Sequence, residues 1–482
     1  MISKKFIRNS IIYTIAGSLP LASGIILLPF YFRYLSPSVY GATALYTGVS
    51  MLVQILVTYS FDTSIYSYFH EFKNDRSKLS TYVSSSFTFI LLLSLLIGMI
   101  LSISGDLIFE KVFTESKILF YPYGLISVAT GIFQAIIKVN SSLLQTQEKA
   151  SSFLWINLLS FFLIALFTVA GLYFYPDELI GPIGGRFAAV VITGLWVLIA
   201  IYRRFGFHFD FAFLKSTLGF NHPSFLYQVM QWFNNSYDKV LMSTLGLPLS
   251  QIGIYDLTVK VVTAIEFALS GFYNSFFPKV LGIVALQTEK KTTVEINRYY
   301  NGLTAVTILL VGLSIFFFPI IIEWFITKPG YSDAIPWIPF VAVTYLLRTI
   351  RFYVTMPYAA IRYQKPLPFF YLLIVATKIG AMLFLIPIYG IMGVLISTWI
   401  GYCVEIIVLY FGIRSKFLFK VNLFKTVAAP MLMALVIVTL EPWLGSARPL
   451  LLHGAYLVYG VGLLVYAYRN ELKVFQLTKI IK

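Results

Sequence analysis

Seven basic side chains fall inside stretches of this 482-residue chain that are otherwise apolar: Lys138, Arg186, Lys239, Lys260, Arg348, Arg351 and Lys378. A charge at the centre of a membrane-spanning helix costs about 2.5–3.5 kcal/mol, so residues of this kind are candidates for function by default. Lys138, Arg186 and Lys239, like the acidic Asp62, lie near the ends of their stretches, where side chains snorkel to the interface. The other four cations are too deep for that, and facing lipid they would cost roughly 10–14 kcal/mol together. A water-filled interior is expected around them. Arg348 and Arg351 are three residues apart and share a helix face. Two adjacent guanidiniums repel unless an anion joins them, and their planar forks suit phosphate bidentately. An anion site is therefore expected at Arg348 and Arg351; the alternative is pairing with Glu405 or Glu266. Lys260 follows Asp256 by four residues, which predicts an ion pair along one helix while leaving Lys260 able to line a cavity. Lys378 has no acid within helical reach and is expected to line the interior as a cation. Glu266, Glu405 and Asp238 are the acids available to exchange H+ or Na+. No metal site is expected: His70, His208, His222 and His453 are scattered, and Cys403 is the sole cysteine.

The elements that must hold these charges are membrane helices. Hydrophobic residues make up 59% of the chain and charged residues 12%, too little polar surface for a soluble protein of this length. Apolar stretches of about 20 residues recur throughout, each long enough to cross a bilayer, and a spanning segment must satisfy its backbone internally. Fourteen spans are expected, at 11–32, 40–62, 80–104, 118–139, 152–174, 180–202, 218–243, 251–277, 299–322, 335–361, 367–387, 391–413, 426–441 and 450–468. The basic start, Lys4-Lys5-Phe6-Ile7-Arg8, resembles a signal peptide, but the stretch behind it is longer than a signal core and is read as a retained helix. With both termini on one side, that side holds 24 Lys and Arg and the opposite side five. The positive-inside bias then makes both termini cytoplasmic and also accounts for the net charge of +16 without nucleic acid. No loop is long enough for a folded extramembrane domain, and no GxxxxGK[ST] nucleotide-binding sequence occurs. No cofactor and no catalytic residue is expected. Asp106, Glu110 and Glu115 read as solvated loop carboxylates.

An internal repeat organises the spans. Leu35-Ser-Pro-Ser-Val-Tyr-Gly41 aligns with Leu247-Pro-Leu-Ser-Gln-Ile-Gly253, Gln147-Glu-Lys149 with Tyr363-Gln-Lys365, and Gly181-Pro-Ile-Gly184 with Gly390-Ile-Met-Gly393. Six spans per repeat is an even number, so the halves share orientation, the parallel-repeat plan of transporters. The expected organisation is all-α: a six-helix lobe at 1–215, a second at 216–420, and an extra helix pair with a cytoplasmic tail at 421–482. Span seven is crowded with Gln228, Gln231, Trp232, Asn234, Asn235 and Tyr237, side chains suited to carbohydrate or to hydrogen bonds between helices. Pro20, Pro29 and Pro357, with Gly17 and Gly24, permit bending or simply pack.

The same segments carry a family likeness. Leu28-Pro29-Phe-Tyr-Phe-Arg33-Tyr-Leu35 with Tyr40-Gly41 resembles the first hairpin of polysaccharide transporters in the MATE-like exporter superfamily. Asp238-Lys239, Leu245-Gly246, Ile252-Gly253-Ile254-Tyr255, Lys260 and Phe277-Pro278-Lys279-Val280 look like their seventh and eighth helices. Within that superfamily the chain is similar to the Wzx-type O-antigen flippases of the bacterial inner membrane. The resemblance implies twelve to fourteen helices in two lobes, and movement of an undecaprenyl-pyrophosphate-linked oligosaccharide by alternating access; without a nucleotide-binding sequence, transport is expected to be passive or coupled to H+ or Na+, and a polysaccharide polymerase is an expected partner. Related alternatives are a lipid II-type flippase and a MATE-type drug/cation antiporter, the latter disfavoured by the basic excess among the deep charges. A membrane glycan polymerase is disfavoured by the short external loops. Orientation is testable directly: green fluorescent protein fused after Lys482 should fluoresce and alkaline phosphatase at the same place should be inactive, whereas the reverse would invert the topology.

Overall fold

The computed structural model describes residues 12, 16, 17, 19, 23–113, 118–285, 289–326, 328–361, 363, 365–416, 421–445 and 449–469. The opening part of the first expected span with Pro20, and Glu115, Lys117, Gln364 and Arg448, lie outside the described residues, as do the side chains of Pro278 and Lys279. Among the described residues every regular element is helical, and all fourteen expected spans fall on helices. Ten helical segments are long and apolar enough to cross a membrane. The first expected span lies largely outside the described residues, and spans seven, eight and ten are not among the ten because Thr263 interrupts the eighth and amides, carboxylates and cations lower the apolarity of all three. Those are the segments that carry most of the charge.

Contacts divide the chain into two compact units, Met1–Asp256 and Leu257–Lys482. The first contains α1 (Leu28–Tyr34), α2 (Pro37–Thr58), α3 (Phe61–Phe72), α4 (Arg76–Val112), α5 (Leu125–Thr146), α6 (Ala150–Phe174), α7 (Ile180–Phe205), α8 (Phe211–Thr244) and the opening turns of α9 (Leu249–Val262). The second holds the rest of α9, then α10 (Ala264–Ala285), α11 (Glu289–Phe325), α12 (Ile338–Ala360), α13 (Leu367–Tyr389), α14 (Ile391–Ile413), α15 (Ala429–Leu444) and α16 (Pro449–Ala467). The compact units divide at Asp256. The reason is packing: α8 lies against α2, α3 and α4, so the seventh span is held with the first unit. In the second unit α16 packs on α11, and α15 on α12, which ties the extra pair to the helix that carries Arg348 and Arg351 and to the helix before it.

Two local features set positions for the charges. Between α2 and α3, Tyr59 and Ser60 adopt φ of 44° and 60°, a left-handed conformation costing roughly 1–3 kcal/mol at a non-glycine residue. Side chains on α8 hold the break. The Gln228 amide donates to Ser60 Oγ at 3.3 Å and to Asp62 Oδ1 at 3.2 Å, and the Tyr59 hydroxyl meets His222 Nδ1 at 3.0 Å. The break starts a new helix at Phe61, so Asp62 lies in its first turn, where the macrodipole favours a carboxylate. A second interruption, at Thr263, separates α9 from α10 and places Glu266 in the first turn of α10.

The aligned glycines of the repeat meet each other. A Cβ at Gly41 would fall 1.9 Å from the Leu249 carbonyl oxygen and 2.8 Å from the Gly253 nitrogen; one at Gly253 would fall 2.2 Å from the Pro37 oxygen and 3.0 Å from the Gly41 nitrogen. Reciprocal contact of this kind is what a twofold relation between equivalent residues produces. Gly48, on the same helix, has nothing within 4 Å of its added Cβ. Gly41→Ala should therefore cost about 1–3 kcal/mol by overpacking, while Gly48→Ala should be neutral or gain up to about 1 kcal/mol from helix propensity. Thermal unfolding of the two purified variants in one detergent measures the difference.

Candidate functional site

The face of α12 predicted to present two guanidiniums does so, and each meets a glutamate. Arg348 donates Nη1 to Glu266 Oε2 at 2.9 Å and Nη2 to Glu266 Oε1 at 2.6 Å, a bidentate fork. Arg351 Nε lies 2.7 Å from Glu405 Oε1. Its Nη2 donates to the Tyr371 hydroxyl at 3.3 Å, and that hydroxyl donates to the same glutamate oxygen at 2.6 Å. Each arginine draws its partner from another helix, Glu266 from α10 and Glu405 from α14. The two pairs differ in access. Glu266 keeps 36% of its side chain exposed and Arg348 27%, against 1% for Glu405 and 16% for Arg351. Glu405 Oε2 is buried without a hydrogen-bond partner among the described residues, a costly arrangement for an ionised carboxylate. Of the two alternatives in the sequence, anion binding or pairing with Glu266 and Glu405, the pairs are formed here. Lys378, on α13, is buried, and its stem lies against α14 where a Cβ at Gly401 would sit 3.3 Å from it. Lys260 is half-buried near the end of α9.

A second charged network lies in the first unit. Lys239 Nζ donates to Asp256 Oδ1 at 2.7 Å, and the Tyr40 hydroxyl donates to Asp256 Oδ2 at 2.9 Å. Asp238 accepts from the Tyr255 hydroxyl at 2.5 Å and from the Lys239 backbone N–H at 2.8 Å. The lysine on Asp256 thus comes from 17 residues earlier in the chain, across the α8–α9 hairpin, a partner that helical spacing does not reveal. Asp62 and Lys138, expected near the interface, pair with each other at 3.0 Å.

Sequence spacing missed three further groups. Tyr371 and Tyr40 complete the two networks, and no local signal distinguishes them among 33 tyrosines. Glu441 and His453 face each other across α15 and α16 at 3.3 Å, both buried; their separation along the chain hides the pair. Arg186 does not simply snorkel. With the Gln134 amide oriented to accept, its oxygen takes both Arg186 Nη2 and Nε at 3.0 Å. At the basic end of the first unit, Lys73, Lys149 and Arg204 border a hollow of about 380 Å³. There burial, with Arg204 beside it, pushes the Lys149 ammonium below its ordinary value.

Known proteins share this chain's sequence and fold. The profile of a family described as "Polysaccharide biosynthesis protein" matches residues 6–281. A Haemophilus influenzae protein of the Lsg locus is 23% identical over 343 residues, 69% of this chain and 77% of its own length. The chain shares its fold with the lipid II flippase MurJ in an inward closed conformation, at 16% identity and TM-score 0.69, covering 95% of this chain and 99% of that one. It also matches an inward-facing multidrug resistance MATE family transporter of the MOP superfamily, at 16% identity and TM-score 0.64, covering 86% and 98%. A third match is the multidrug transporter DinF-BH, at 15% identity and TM-score 0.57, covering 86% and 96%. These solved relatives are a flippase and transporters rather than enzymes.

A buried ion pair is costly to break and cheap to replace whole. Removing Glu405 alone with Glu405→Leu should destabilise the second unit by about 3–5 kcal/mol through the stranded Arg351, and the double variant Arg351→Met with Glu405→Leu should recover most of that loss. Thermal unfolding through a double-mutant cycle measures the coupling, and additive losses would show that the pair contributes nothing.

Proposed function

The chain belongs to the polysaccharide biosynthesis protein family, and from that premise we propose that it is a flippase for an undecaprenyl-pyrophosphate-linked oligosaccharide. The cargo would be an O-antigen or related surface-polysaccharide repeat unit, carried from the cytoplasmic to the external leaflet of the bacterial inner membrane by alternating access. The observation that carries this reading is the pair of arginines on one face of α12, each occupied by a carboxylate. The Arg348 fork that holds Glu266 bidentately would hold a phosphate oxygen pair in the same way, and Arg351, which meets Glu405 through Nε, would add a second cation, so a pyrophosphate can exchange for the two glutamates. Lys260 and Lys378 would add positive charge along the path. The basic surplus over the membrane-embedded acids suits an anionic cargo and argues against a cationic drug.

Exchange of this kind needs something to occupy the displaced glutamate. A proton is the simplest answer: protonating Glu405 removes its claim on Arg351 and settles its buried, unpartnered Oε2 as a neutral acid. Na+ is the other possibility at Glu266, Glu405 or Asp238. Coupling would then be an ordered trade, anion on as carboxylate off. The basic asymmetry of the loops supports cytoplasmic termini, and the family's role in polysaccharide assembly makes a polymerase the expected neighbour. The fold shared with a lipid II flippase favours a lipid II-type cargo as the second reading, since lipid-linked pyrophosphates present the same anion.

Arg348→Ala and Arg351→Ala should each lower surface-polysaccharide export about tenfold or more, as expected for loss of one charge-assisted bidentate contact. Lipid-linked repeat units should accumulate on the cytoplasmic leaflet. Normal export in both variants at unchanged protein level would overturn the assignment.

A further inference from the structure

Among the described residues, Arg186 is the span-embedded arginine that has no carboxylate partner. Arg348 and Arg351 each face a glutamate; the contact shown for Arg186 is the amide of Gln134, and among the described residues no carboxylate oxygen lies within ion-pair distance of it. An amide satisfies hydrogen bonds but leaves the charge uncompensated, and in a medium of low dielectric that charge draws an anion. The side chain borders a cavity of about 440 Å³ within the first unit, walled by α2, α5, α6 and α7, inside the usual range for small-molecule sites, about 300–1,000 Å³. The wall is unusually rich in amides and hydroxyls for a membrane helix bundle: Gln54, Ser141, Gln145, Asn157 and Ser160 all line it. Gln54 spends its amide on the Gln134 carbonyl at 3.3 Å and Asn157 on the Phe153 carbonyl at 2.8 Å. The hydroxyls of Ser141 and Ser160 have no hydrogen-bond partner among the described residues. The second cation of the wall, Lys138, is already neutralised by Asp62. The site therefore offers one unit of uncompensated positive charge beside several oxygen and nitrogen groups, in a volume fit for sugar rings.

We propose that this cavity is a saccharide subsite for an acidic sugar, with the Arg186 guanidinium taking the sugar's carboxylate and the serine and amide wall taking its ring hydroxyls. The inference rests on the flippase reading for its biological meaning and assigns a property that reading leaves open: the cargo carries an acidic residue in its glycan. A lone phosphate would use Arg186 but not the hydroxyl wall, so the two sources of negative charge separate experimentally.

Saturation-transfer NMR on the full chain in lipid nanodiscs, with methyl glucuronide and methyl glucoside as separate probes and inorganic phosphate as competitor, tests the proposal. Methyl glucuronide should receive saturation, methyl glucoside much less, and excess phosphate should compete only weakly. Arg186→Gln should weaken the glucuronide signal about tenfold, the scale of one charge-assisted contact, and Ser141→Leu, which keeps the charge and fills the cavity, should weaken it as well. Arg351→Ala, outside this cavity, should leave the signal intact while reducing export. Equal signals from glucoside and glucuronide, full displacement by phosphate, or an unchanged signal in Arg186→Gln would each overturn the subsite. Those outcomes leave the flippase reading standing, because that reading is decided by export in the α12 variants.

Discussion

Charge compensation in a medium that will not solvate charge is the constraint on which this structure depends. At low dielectric an unpaired guanidinium is expensive, and attraction to a carboxylate offsets that cost only when geometry is good. Arg348 with Glu266 and Arg351 with Glu405 meet the condition through short, directed contacts between separate helices. Each pair therefore does two things at once. It fixes the approach of α10 and α14 to α12, and it answers a guanidinium of α12 with a carboxylate from a neighbouring helix.

The helix breaks belong to the same logic. A carboxylate gains most from a helix at its first turn, where backbone N–H groups are unsatisfied. Interrupting the chain at Tyr59–Ser60 and at Thr263 creates two such turns in mid-chain, and each carries an acid that pairs with a basic side chain: Asp62 with Lys138, Glu266 with Arg348. Gln228 holds the first break through Ser60 and Asp62. The amide crowding of α8, read in the sequence as either sugar-binding or interhelical, is at Gln228 interhelical.

Uneven exposure separates the two glutamates in what they can do. Glu266 keeps 36% of its side chain exposed, whereas Glu405 has 1% accessible and one oxygen without a hydrogen-bond partner among the described residues. Tyr371 is shared by the pair, accepting from Arg351 and donating to Glu405.

The fourteen spans, their helical character and the identity of the deep charges were legible in the sequence, because bilayer thickness fixes span length and the cost of intramembrane charge makes each one conspicuous. The shared face of Arg348 and Arg351 followed from helical period alone. Glu266 and Glu405 were legible as the alternative partners of the two arginines; which glutamate serves which arginine, and every other partnership, did not follow. Lys239 with Asp256, Arg351 with Tyr371 and Glu405, and Glu441 with His453 join different helices, and no spacing rule along one helix reaches across a bundle. The same limit hid Arg186, whose depth in α7 suggested a side chain reaching for the interface, whereas α2, α5 and α6 enclose a polar cavity beside it. Sequence determined where charge enters the membrane; only tertiary packing decided which charges are answered by an acid and which by a neutral amide.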